Sequence, residues 1–117
     1  MNVDGPPDLA PAQPLEMQFC PVPGISQFMG GTAAEHAERY RDGSAVSMLP
    51  TGVPQTIIVG GLLQGSYDLV SKYEAAASSK GDSVTVLKLE GAGHFDMLAP
   101  ENRYGKSLIQ AIMALLQ

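Results

Sequence analysis

The stretch from residue 56 to residue 89 limits the possible folds more than any other part of the chain. Thr56-Ile57-Ile58-Val59 is apolar on both faces, the pattern of a short strand buried inside a sheet, and Gly60-Gly61 ends it. Asp68 is a good N-cap for a helix over 69–79, whose Leu69, Val70, Tyr73, Ala76 and Ala77 form an apolar stripe. Lys80 and Gly81 supply a helix stop. Residues 83–89 then read as a second strand, with Val84 and Val86 on one face and Leu87 and Leu89 on the other. Strand, helix and strand in about 35 residues make a right-handed βαβ unit with parallel strands, which places the chain in the α/β class. A closing helix is expected over 101–116, where Leu108, Ile109, Ile112, Leu115 and Leu116 share a wide apolar face. That helix should be held by packing.

The second strand runs into Glu90-Gly91-Ala92-Gly93-His94-Phe95-Asp96. Small residues let this backbone turn sharply, and the loop lies beyond the carboxyl end of a strand, where open α/β sheets bind ligands. His94 is suited to moving a proton near neutral pH. Taken alone, the pattern reads better as a polar residue on a tight turn.

A longer series of residues gives the loop a context. Leu49-Pro50-Thr51-Gly52-Val53-Pro54-Gln55 leads into the first strand and Gly60-Gly61, followed by Tyr73, Ala77, Gly81-Asp82, the Gly-x-Gly-His-Phe-Asp loop and Pro100. Gly30-Gly31 and Arg39-Tyr40 precede them. Over about residues 26–116 the chain resembles the C-terminal part of an α/β-hydrolase, in particular the esterase and formamidase-like members. The resemblance implies a partial α/β-hydrolase fold, ester or amide hydrolysis, and a role for His94 as general base of a Ser-His-Asp triad. The acid of that triad would lie three residues beyond Gly61, at Gln64, which cannot carry the compensating charge. Asp68 is the nearby carboxylate and stands as the candidate acid, with helix capping as its other use. Gly60 occupies a place where many relatives have a histidine.

The nucleophile is what the sequence lacks. The family's serine sits on a Gly-x-Ser-x-Gly elbow between a strand and a helix. Gly24-Ile25-Ser26-Gln27-Phe28 lacks the second glycine, and Gly65-Ser66-Tyr67 lacks the spacing. A complete fold of this kind needs roughly twice the length present here. The expectation is therefore a truncated or vestigial hydrolase segment, inactive alone, or one subunit of a split hydrolase. The alternatives are a non-catalytic interaction module and a dinucleotide-binding βαβ unit. In the latter, Gly60, Gly61 and Gly65 would admit a pyrophosphate and Glu90 would bind a ribose; the G-G-x-x-x-G spacing departs from G-x-G-x-x-G.

Composition removes other classes. The 117 residues carry a net charge of −5 with only seven Lys and Arg, none clustered, so a nucleic-acid partner is not expected. No apolar run approaches the length of a membrane span, and the start lacks the basic and apolar regions of a signal peptide, so a cytoplasmic location is expected. Cys20 is the single cysteine and reads as a spare thiol. His36 lies among Glu35 and Glu38 as a surface residue, and no metal site or cofactor is expected.

Six of the nine prolines (Pro6, Pro7, Pro11, Pro14, Pro21 and Pro23) fall in residues 1–25, which suggests a flexible, extended arm ahead of the segment 26–117. With that arm unstructured, the strand at 56–59 would keep one unpaired edge. A homo-oligomer, or a complementary hydrolase half, is then expected at residues 53–61, and a small ester or amide would be the substrate of the completed site.

Overall fold

A computed structural model describes residues 1–117. The core is a three-stranded parallel sheet of β1 (Asn2–Val3), β2 (Gln55–Gly60) and β3 (Val84–Leu89), in the spatial order β1-β2-β3. Around it, in chain order, stand α1 (Leu9–Ala12), α2 (Glu16–Phe19), α3 (Gly24–Met29), α4 (Ala37–Gly43), α5 (Gln64–Ser79) and α6 (Arg103–Leu115). The protein is of the mixed α/β class.

β2 is the middle strand, and its apolar run explains why. Alternate side chains point to opposite faces of a strand. Ile57 and Val59 pack with Leu49, Val70, Tyr73 and Ala77 under α5. Ile58 turns the other way, into a cluster with Leu89, Ala92 and Met97 against which Tyr104 and Leu108 of α6 rest. All three β2 residues are at most 2% exposed, so both sheet faces are covered at this strand, as a parallel sheet requires.

The arm expected over residues 1–25 is the main correction. It is folded: β1 pairs parallel with β2, Asn2 opposite Ile57 and Val3 opposite Ile58. Hence the sheet has three strands, and the β2 edge that was expected to seek a second chain is already paired. Proline is barred only where a ladder needs its N–H. Pro6 and Pro7 come after β1, and the Pro7 carbonyl accepts the Val46 amide at 3.1 Å. Pro11 lies in the first turn of α1, where the amide has no intrahelical partner anyway.

Other boundaries moved for local reasons. α5 begins at Gln64, not at 69, because Asp68 does not cap it. Asp68 instead accepts from the Gln64 side chain one turn earlier, at 2.8 Å. The Glu35 carboxylate accepts the Thr32 amide and hydroxyl, both at 2.8 Å, which is one half of a capping box; the Glu35 amide donates to the Thr32 carbonyl at 3.1 Å in a turn, and α4 starts at Ala37. At α6, Asn102 is the cap and accepts the amides of Tyr104 and Gly105, both at 2.8 Å. The apolar face of α6 is not packed as expected: Leu108 and Ala111 touch the core, whereas Ile109, Ile112, Met113, Leu115 and Leu116 are exposed.

Candidate functional site

His94 is fixed by the residues around it. Ala92 and Met97 are buried on either side, at 0% and 1% exposure, and pin the loop to the sheet. Asp96 accepts the Gly93 amide at 2.7 Å, and its own carbonyl accepts from the Asn102 side chain at 2.8 Å. Phe95 meets the imidazole edge to face with the ring centres 4.7 Å apart, while its own outer surface stays exposed. The Phe-Asp of the motif therefore steadies the histidine from both sides.

The glycines at the end of β2 let this loop come close. A side chain at Gly60 would lie 2.8 Å from the Ala92 carbonyl oxygen, and one at Gly61 would lie 3.0 Å from the Glu90 backbone. The Leu62 amide bonds the Ala92 carbonyl across the same gap, at 3.0 Å. The room that a pyrophosphate would need is thus occupied by the His94 loop. Glu90, the would-be ribose ligand, is exposed and pairs with Lys88 at 3.1 Å. Nothing in this geometry favours the dinucleotide alternative.

The carboxylate that meets His94 is Asp4. Its Oδ2 lies 2.6 Å from His94 Nδ1, across ninety positions of sequence. The Asp4 side chain is 4% exposed and the His94 side chain 33%. Asp4 Oδ1 accepts the Gly60 amide at 2.9 Å, and the Asp4 amide donates to Ile58 at 2.7 Å. This arrangement follows from β1: the strand ends at Val3, and Asp4 takes a left-handed backbone conformation, φ 53°, that turns the chain above β2. Aspartate tolerates that region better than most residues. The Asn2 side chain closes the turn, donating to the Gly5 carbonyl and accepting its amide, both at 2.9 Å. An ionised carboxylate can only accept, so a hydrogen on Nδ1 faces Asp4, and whenever the ring is neutral Nε2 is the nitrogen with a free lone pair.

Asp68, the candidate acid of the sequence, is exposed and bonded to Gln64, as described above. The structure therefore brings His94 together with Asp4 and leaves Asp68 apart. Asp4 carried no signal beyond a β-branched residue before Asp-Gly, because a two-residue strand is too short for any periodicity.

Asp4 and His94 line one cavity of about 170 Å³, walled by Phe19, Ile25, Val59, Leu69 and Val70. Residues 1–25 thus contribute to the candidate site as well as to the sheet. Glu16 lies on the cavity wall and holds α2 to α3: it accepts the Ser26 hydroxyl at 2.5 Å and the Ser26 amide at 2.9 Å. Those bonds, the hydroxyl first, keep its carboxyl below the usual carboxylate range. Ser26 is thereby engaged. Ser66 and Cys20 also line the cavity, but the only side-chain hydrogen bond of His94 is the one to Asp4.

His36 bonds the Gly30 carbonyl at 3.0 Å, beside Arg39 on the Met29 carbonyl and Tyr40 on that of Gly31. These residues tie α4 to the end of α3 and lie outside the cavity. No cluster of three metal-ligating side chains occurs, and no helix is long and apolar enough to cross a membrane. No protein-family model, no curated protein and no solved structure gives a significant match to the chain.

Proposed function

We propose that this chain carries the acid–base part of an ester- or amide-hydrolase site on a partial α/β-hydrolase framework. His94 is its general base and Asp4 the carboxylate that orients it. One observation supports the reading above all: a buried carboxylate 2.6 Å from the Nδ1 of a histidine that lines an apolar cavity. Nε2 takes the proton of an attacking hydroxyl or water. Asp4 stabilises the imidazolium while it exists, and the proton then passes to the leaving alcohol or amine. Among these residues no serine is bonded to the imidazole, so a serine nucleophile would have to be supplied from outside them.

The isolated protein should therefore hydrolyse p-nitrophenyl acetate no faster than a surface imidazole does, and His94→Ala should lower the rate to what His36 alone supplies. Saturable turnover that survives His94→Ala but is lost in Ser66→Ala would overturn this assignment.

A further inference from the structure

The cavity beside His94 has a size and a polarity that together select a ligand. An apolar cavity of about 150 Å³ is enough to hold benzene, and this one measures about 170 Å³. Its walls are side chains of Phe19, Ile25, Val59, Leu69 and Val70, so a flat six-membered ring would replace water with dispersion contacts. The carboxylates on the wall are already used. Asp4 accepts from Gly60 and His94, and Glu16 from Ser26. With the hydrogen on Nδ1, His94 Nε2 is a strong acceptor on this wall that bonds no protein group. It asks for a donor. Two nearby carboxylates also disfavour an anionic ligand.

We propose that this cavity binds a small neutral hydroxyaromatic molecule of phenol size, its ring in the apolar pocket and its hydroxyl donating to His94 Nε2. The inference rests on the reading of His94 as a base oriented by Asp4, and it names the class of alcohol which that base would serve. A phenol is both the proton donor that Nε2 lacks and a leaving group to which an imidazolium can return a proton.

The test is a titration of the full chain with phenol, benzene and benzoate, followed by methyl NMR of Ile25, Val59, Leu69 and Val70. Phenol should shift these methyls saturably and bind about fivefold tighter than benzene, the effect of one net hydrogen bond. Benzoate should bind more weakly than either. His94→Phe should make phenol and benzene equal. Unshifted methyls, or benzoate binding tightest, would overturn the ligand assignment. Equal phenol and benzene affinities with His94 still in its Nδ1–H form would overturn that assignment alone. Equal affinities with the hydrogen on Nε2 would overturn the oriented base as well.

Discussion

Asp82 shows how a single carboxylate can organise backbone. It precedes β3, is 8% exposed, and accepts the Thr51 amide at 2.6 Å, the Gly52 amide at 2.9 Å and the Thr51 hydroxyl at 3.0 Å. The Thr51 amide, then that of Gly52, holds its carboxyl below the usual range. A carboxyl with a depressed folded-state pKa stabilises the fold fully above its unfolded value, about 4, and loses that contribution as pH falls through the folded one. Urea midpoints measured at pH 7 and pH 3 should therefore fall more for the wild type than for Asp82→Asn. Equal falls would show that the bonds to Thr51 and Gly52 do not stabilise the fold. The same bonds explain why Gly81-Asp82 and Thr51-Gly52 occur together: one ties down the loop that delivers β2.

At the level of elements, α6 is attached through its first turn. Gly105 is its one buried residue, and a Cβ there would sit 2.0 Å from the Ala99 carbonyl oxygen and 2.8 Å from Pro100 Cα. Both are backbone atoms that cannot swing away. Gly→Ala in a helix ordinarily gains up to about 1 kcal/mol from propensity. An overlap this deep should outweigh the gain and leave Gly105→Ala less stable by about 1–3 kcal/mol in denaturant unfolding. A neutral or stabilising result would mean that α6 is not seated on Ala99 and Pro100. The sequence made β2, β3 and the body of α5 legible because their apolar periods are long and match the packing. It misplaced the start of α5 because Asp68 has the chemistry of a cap, and only the fold reveals that Gln64 holds it. The apolar face of α6 was legible too, but a face in sequence does not show what covers it, and here most of it is open.

Across the whole molecule only 21 of 117 residues are buried, so each long-range tie is a sizeable part of what holds the fold together. The pairing of β1 with β2 and the bond of Asp4 to His94 join the start of the chain to its last loop, and these the sequence did not disclose. Prolines at 6 and 7 marked an arm, while the two residues that enter the sheet and the aspartate that follows them were too few to form a pattern. The histidine was readable from its glycine-rich loop; its partner was not. That pair carries the functional reading, and a long-range ¹⁵N–¹H spectrum of His94 tests it most directly. It should be recorded near pH 8.5, where an ordinary imidazole is neutral, on the wild type and on Asp4→Asn. The expected result is hydrogen on Nδ1 and a bare Nε2 in the wild type, shifting toward the usual mixture of tautomers in Asp4→Asn. Hydrogen on Nε2 in the wild type, or a spectrum that Asp4→Asn leaves unchanged, would contradict the carboxylate-oriented base.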